Sequence, residues 1–392
     1  MCAILSLIGI GLAGYLTYLH LGLLRGELLG GPACSGSGAF NCHAVTSGAW
    51  GSFLGAPLSL WGILGYTVIL ALALLAEQSP EMAVQAMTLV FIAALLFVGI
   101  DLALLSLMVF VIRFYCLFCL LTYLVNLSLL VVSARSLSAP WTTAFSRMGT
   151  SLGALLPSRQ HPAAWLFWGM LMVAMLGTAG VHAATTFVNR GTLAGFRQQI
   201  REYVLKQPRV VVNTDGDPRT GSADAKIQMV EFSDFFCPAC QRASRMNAII
   251  LANHRDDVSF VFKNFPLDNN CNEKIQHMVH PGACQMAVAS ECLQLQGKFW
   301  PFHDMVFEKG HDYNLGNLER DVERLGADMG PFRSCMASGQ GREAVRRDIE
   351  EAGKVNVGST PTFVINGIPM TGGLNPSVFD DLVAVLQETA NR

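Results

Sequence analysis

Charge is almost absent from the first half of this 392-residue chain. Residues 1–190 hold ten charged side chains, Arg25, Glu27, Glu77, Glu81, Asp101, Arg113, Arg135, Arg147, Arg159 and Arg190, so most of the 27 basic and 29 acidic residues lie beyond them. The first half is suited to lipid and the second to water. A net charge of −2 leaves no positive surplus, which argues against nucleic acid as a partner. The start of the chain has no basic n-region and no small-residue cleavage site, so residues 2–22 are expected to remain as a membrane span. Acidic residues are missing from 134–162, which carries Arg135, Arg147 and Arg159 and is therefore expected to face the cytoplasm.

Apolar runs near 2–22, 57–76, 83–112, 114–133 and 163–184 match the roughly 20 helical residues that cross a bilayer. Alternation from the basic loop then places 23–56, the junction at Arg113 and everything after about 185 outside. The Glu77–Glu81 turn falls inside.

Eleven cysteines suit an oxidising compartment. Under this topology all but Cys2 lie outside or at the outer membrane edge, and Cys2 reads as a small apolar residue of the first span. Cys34 and Cys42 bracket a stretch rich in glycine and serine, a flexible tether for either a structural or a shuttling pair. Cys116-Leu-Phe-Cys119 stands at the outer end of the fourth span, where two cysteines three apart share a helical face and can form a redox-active dithiol. At about 100° per residue, Tyr123 and Asn126 continue that stripe. Polar groups there are costly in lipid unless they hydrogen-bond neighbouring helices or bind something polar.

Cys34 and Cys42, Trp50, Gly55-Ala-Pro-Leu-Ser-Leu-Trp-Gly62 and Cys116-Leu-Phe-Cys119-Leu-Leu-Thr-Tyr123-Leu-Val-Asn126 together resemble the bacterial members of the vitamin K epoxide reductase family over residues 1–133. The resemblance implies a four-helix bundle around a quinone, ubiquinone or menaquinone, faced by Tyr123 and Asn126. It further implies that Cys119 contacts the quinone, Cys34 exchanges with Cys116, and Cys42 faces a thioredoxin-like domain. Gly48 departs from the serine that the family often has there, with Ser47 beside it. Asp101, inside the third span, reads as a protonated or hydrogen-bonded acid near the outer interface, or as an aid to quinone protonation.

Beyond 134–162 and the fifth span at 163–184, residues 185–224 read as a helical stalk near 193–206 followed by a Gly/Asp/Pro-rich linker over 213–224. A soluble domain is expected over 225–392. Ile227-Gln-Met-Val-Glu-Phe232 reads as a strand running into Ser233-Asp-Phe-Phe-Cys237-Pro-Ala-Cys240 and a helix at 241–253. At a helix N-terminus Cys237 sees the positive end of the dipole, which favours its thiolate, and Cys240 one turn on can close the disulfide. No second CxxC or suitably placed His-rich partner makes this half of a zinc site.

Gly358-Ser-Thr360-Pro361 resembles the cis-proline loop of thioredoxins, and the mostly helical stretch 267–350 resembles the insertion of DsbA-like domains. That resemblance implies that Thr360 and Pro361 lie against the CxxC and bind an extended substrate segment. Cys271, Cys284, Cys292 and Cys335 read as two structural disulfides among three possible pairings. A metal site from Cys271, His277, His280 and Cys284 competes, with both histidines on one helical face. The oxidising compartment and Pro281 favour disulfides, so no metal is expected.

The expected fold is an α-helical transmembrane bundle, four catalytic helices plus a fifth span, followed by an α/β thioredoxin-like domain with a helical insertion. The expected activity is a quinone-dependent relay from reduced secreted or periplasmic proteins through Cys237/Cys240, Cys34/Cys42 and Cys116/Cys119, housed in a bacterial cytoplasmic membrane. Two other readings remain open: the same relay run as a reductase or isomerase, and a membrane-anchored chaperone with inert cysteines.

Overall fold

The computed structural model describes residues 1–31, 34, 40–137, 142–155, 163–222 and 224–390. Two compact units divide the chain, Met1–Leu193 and Ala194–Arg392.

Five helices of the described residues are long and apolar enough to cross a membrane, covering Cys2–Leu24, Leu58–Gln78, Pro80–Ile112, Leu117–Ser136 and Phe167–Ala184. The helical elements of this part are α1 (Cys2–Leu24), α2 (Cys42–Ser47), α3 (Leu58–Gln78), α4 (Ala83–Leu107), α5 (Leu117–Ser136), α6 (Thr142–Ala154) and α7 (Ala163–Lys206). Helix α1 packs on α3 and α5, and α4 packs on the same two, which makes a four-helix bundle. Lipid supplies no hydrophobic drive between helices, so close fit decides their packing. Gly9 illustrates this: a Cβ there would meet the Tyr66 ring at 2.5 Å. The glycine admits the Tyr66 ring to the middle of the bundle. Between α1 and α3, the short strands β1 (Ser52–Phe53) and β2 (Ala56–Pro57) pair antiparallel.

Three sequence expectations change here. The fourth span starts at Leu117 and not at 114, because Arg113 takes a left-handed conformation, φ 60°, that ends the Met108–Ile112 π-turn. Tyr115 then bridges to Phe40. The loop 134–162 contains α6, which packs against α4. The fifth span and the stalk are one helix, α7, with no proline between Pro162 and Pro208 to break it. The glycine- and serine-rich tether over 35–39 and Arg159 lie outside the described residues.

The second unit is built on a five-stranded sheet of order β3-β5-β4-β6-β7, formed by Arg219–Gly221, Val258–Asn264, Ile227–Ser233, Thr362–Ile365 and Ile368–Thr371. Residues 219–221, expected in the linker, pair antiparallel with β5. β4 runs parallel to β5 and antiparallel to β6, with Phe232 opposite Thr362. That register puts the segment leaving β4 beside the segment entering β6. Helix α8 (Pro238–Asn253) follows β4, and α9 (Ala283–Gln294), α10 (Phe299–Lys309), α11 (Leu318–Arg324), α12 (Met329–Ser338) and α13 (Gln340–Lys354) separate β5 from β6. An aromatic core of Phe232, Phe235, Phe262, Phe299 and Phe302 packs with these helices. A second core joins Met229, Phe260 and Phe363 to α14 (Pro376–Ala390) and to Ile200 and Val204 of α7. Residues 267–282, expected to be mostly helical, instead form turns, so His277 and His280 do not share a helical face.

Candidate functional site

In the first unit, four of the cysteines singled out by their spacing come together. Cys34, Cys42 and Cys116 are fully buried and share one cluster, against which Cys119 packs. The Cys34 and Cys42 sulfurs are 2.9 Å apart, and Cys116 and Cys119 are joined in a disulfide. Burial first, then the adjoining Cys42, holds the Cys34 thiol well above the usual range. Two local devices fix this arrangement. Asn41 caps α2 by accepting the Ala44 amide at 2.9 Å, and its own amide donates to Tyr115 O at 2.9 Å, which ties the Cys42 turn to the residue before Cys116. Cys116 in turn caps α5, its sulfur accepting from the Cys119 amide at 3.2 Å.

Cys119, Tyr123 and Asn126 line an apolar cavity of about 200 Å³ in the bundle. Tyr66 and Asp101 line it too. The Tyr66 hydroxyl donates to Asn126 Oδ1 at 2.7 Å, and Asn126 Nδ2 donates to Asp101 Oδ2 at 2.8 Å. A buried amide is thus held from both sides, as low-dielectric surroundings demand. Asp101 therefore faces the cavity and is hydrogen-bonded there by Asn126. Tyr66 is a residue that sequence reasoning missed. Apolar walls with convergent Tyr, Asn and Asp groups fit a largely apolar ligand that carries a few polar atoms.

In the second unit, Cys237 occupies the N-cap position of α8 and Cys240 lies one turn on, both buried. The β4–β6 register brings Thr360 O to 3.6 Å from Cys237 Sγ, and the Thr360–Pro361 peptide is cis. A hydrogen bond from the Cys240 thiol, outweighing burial and joined by the Thr360 side chain and the Cys240 and Ala239 amides, pushes Cys237 down to about 5. Burial first, then the Cys237 sulfur, raises Cys240 well above the thiol range. The pair is therefore divided into a ready thiolate and a retained thiol. Glu231, fully buried on β4, is pushed up to about 8 by burial, and its charge is felt at Cys240. Asn247 Nδ2 donates to Glu231 Oε2 at 2.7 Å.

The four cysteines between β5 and β6 pair as Cys271–Cys284 and Cys292–Cys335. His280 Nδ1 lies 2.9 Å from Asp234 Oδ2.

Residues 1–134 match the model of the vitamin K epoxide reductase family, and residues 213–385 match a thioredoxin model. Among curated proteins, the chain is 32% identical over 158 residues to "Na(+)/H(+) antiporter NhaA 3" of Salinispora tropica, covering 40% of this chain and 23% of that one. It is likewise 32% identical over 163 residues to "Na(+)/H(+) antiporter NhaA 1" of Mycolicibacterium vanbaalenii, covering 41% and 25%. The chain thus spans about a quarter of the length of these curated relatives. Among solved structures, oxidised BdbD of Bacillus subtilis is 23% identical with a TM-score of 0.38, covering 47% of this chain and 98% of that one. A thioredoxin-like oxidoreductase from Silicibacter pomeroyi is 21% identical with a TM-score of 0.39, covering 44% and 94%. A segment that matches the vitamin K epoxide reductase family is therefore followed by one that matches a thioredoxin.

Proposed function

We propose that the chain oxidises thiols of secreted or periplasmic proteins and delivers the electrons to a membrane quinone, ubiquinone or menaquinone. The observation that carries this reading is the position of the membrane disulfide: Cys116 lies in the buried cluster with Cys34 and Cys42, while Cys119 lines the cavity that Tyr66, Asn126 and Asp101 supply with polar groups. A path of sulfurs ends at an apolar chamber.

A substrate thiolate attacks Cys237 Sγ of the oxidised pair, the Cys237–Cys240 bond breaks, and Cys240 leaves with the electron pair. Glu231, protonated through burial, is suited to give Cys240 its proton. A second substrate thiolate then attacks the mixed disulfide and releases Cys237 as a thiolate, with Thr360 and Pro361 beside the exchanging sulfur holding the substrate segment. The ease with which Cys237 ionises stabilises the reduced pair, which makes its disulfide more oxidising and favours flow from substrate into the chain. Cys42 and Cys34 take up the electrons in the same manner and pass them to Cys116 and Cys119. A quinone bound in the cavity supplies a two-electron, two-proton acceptor. Tyr123 and Asn126 would hold it, and Asp101, gripped by the Asn126 amide, would anchor that grip. The basic loop 134–162 supports placing the second unit outside the cytoplasm.

The test is an anaerobic assay of the purified full chain with a reduced model dithiol and a soluble quinone, following quinone absorbance. Wild type should reduce quinone, and Cys116→Ala or Cys119→Ala should lose essentially all of this while Cys237 remains oxidisable. Wild-type turnover in either variant would overturn the reading.

A further inference from the structure

The two residues between the redox cysteines, Pro238 and Ala239, bring neither charge nor side-chain donor to Cys237. The segment 267–282, between β5 and α9, brings one from elsewhere in the unit. Leu267 N donates to Asp234 Oδ2 at 2.7 Å, and the Val279 and His280 amides both donate to Leu267 O at 2.9 Å. Gly282 N donates to Asp268 Oδ2 at 3.0 Å, and the Cys271–Cys284 disulfide closes the segment on itself. This bracing sets His280 Nδ1 2.9 Å from Asp234 Oδ2. The same Asp234 builds the turn into the redox pair: its Oδ1 accepts the Phe236 amide at 2.7 Å, and its main-chain oxygen accepts the Cys237 amide at 3.1 Å. Gly282 lies close to that turn too, since a Cβ on it would stand 3.5 Å from the Phe236 ring. One carboxylate thus holds both the cysteine turn and the imidazole.

We propose that His280 is a positioning residue that holds a positive charge beside Cys237 and so favours its thiolate. A cation next to a thiolate stabilises it, more so where water is partly excluded. The His280 side chain is only 17% exposed, and the Asp234 carboxylate is fully buried. The Asp234 hydrogen bond first, against burial, and then the charges of Asp234 and Cys237 raise the imidazole above its ordinary value. Among the described residues, the titratable groups brought to Cys237 are Cys240 from α8, Glu231 from β4, Asp234, whose main-chain oxygen accepts the Cys237 amide, and His280 from the braced segment; the cis-proline loop contributes Thr360, which does not titrate. Glu231 and Asp234 disfavour the thiolate when ionised, and His280 is the cation among them. This assignment rests on Cys237 acting as the exchanging sulfur, but its test does not need the membrane relay to run.

Reduced full-length protein is treated with iodoacetamide across a pH series, and alkylation of Cys237 is read by peptide mass spectrometry. His280→Gln should move the inflection upward by about one pH unit, a roughly tenfold loss of thiolate at pH values below it. His280→Lys, which keeps a positive charge, should recover part of that shift. Coupling is reciprocal, so in unmodified protein the His280 imidazole, followed by NMR, should titrate at a lower pH when oxidation removes the thiolate. This second measurement stands even if a variant fails to fold. Superimposable alkylation profiles in folded His280→Gln and wild type, or a His280 titration indifferent to the redox state, would overturn the proposal. Loss of quinone reduction with these shifts intact would count against the relay alone.

Discussion

At the residue scale, the redox cysteines declare themselves by spacing, because CxxC at a helix start is a local feature that needs no tertiary knowledge. Glu231 does not. An acid in a strand reads as a solvent-facing residue, and only the central place of β4, with β5 on one side and β6 on the other, shows that it is buried. Tyr66 is hidden for a similar reason: a tyrosine in an apolar span reads as packing until Asn126 and Asp101 are seen to meet it. Buried Glu231 carries a prediction with a definite sign. Its carboxyl is raised in the folded state to about 8 from 4.5, so its contribution to stability is full below pH 4.5 and is lost as pH rises through about 8. Glu231→Gln can still accept the Asn247 amide but has no charge to bury. The stability of the variant relative to wild type should therefore grow between pH 4.5 and 8 and level off above, reaching on the order of a few kcal/mol. Urea midpoints of the second unit across that range give the measurement, and release of Cys240 during substrate oxidation should slow in the same variant.

At the scale of elements, the membrane helices are legible because length and apolarity alone define a span. Their ends are not. Charge marks where lipid stops, yet α7 continues to Lys206 because no proline interrupts it, and the short strand at 219–221 looks like linker because its pairing is set by β5 and not by its own composition. The helical insertion is predictable in outline, whereas the turns over 267–282 depend on Asp234, Asp268 and a disulfide that spacing cannot assign. The pairings now seen give an ordered expectation. In the chain-entropy account, the stabilisation grows with the loop closed: about 3 kcal/mol for Cys271–Cys284, separated by 13 residues, and about 4 kcal/mol for Cys292–Cys335, separated by 43. Replacing both members by Ala should lower the chemical-denaturation midpoint more for the second pair than for the first. The first should have the larger effect on Cys237 reactivity, since it braces His280. Reversal of either ranking would show that the disulfides act otherwise than by closing these loops.

At the scale of the whole molecule, the question is the order in which the cysteine pairs exchange, which loss of activity cannot reveal. Each exchange passes through a mixed disulfide that is resolved by the second cysteine of the attacked pair. Removing the resolving cysteines should therefore trap it. A Cys34→Ala, Cys240→Ala double variant retains Cys237 and Cys42 and deprives both of their partners. Because Cys42 is buried, any capture by an outside sulfur also requires the loop to present it, so the trap reports opening as well as order. The expected product is a Cys237–Cys42 crosslink within one chain, accumulating on mild oxidation, detected by non-reducing peptide mapping and absent when Cys42 is also replaced. If Cys237 were found joined to Cys116 instead, the loop pair would be bypassed, and electrons would enter the membrane disulfide directly. The cavity at Cys119 could still serve a quinone in that case, but the loop cysteines would have a structural task and not a carrier's.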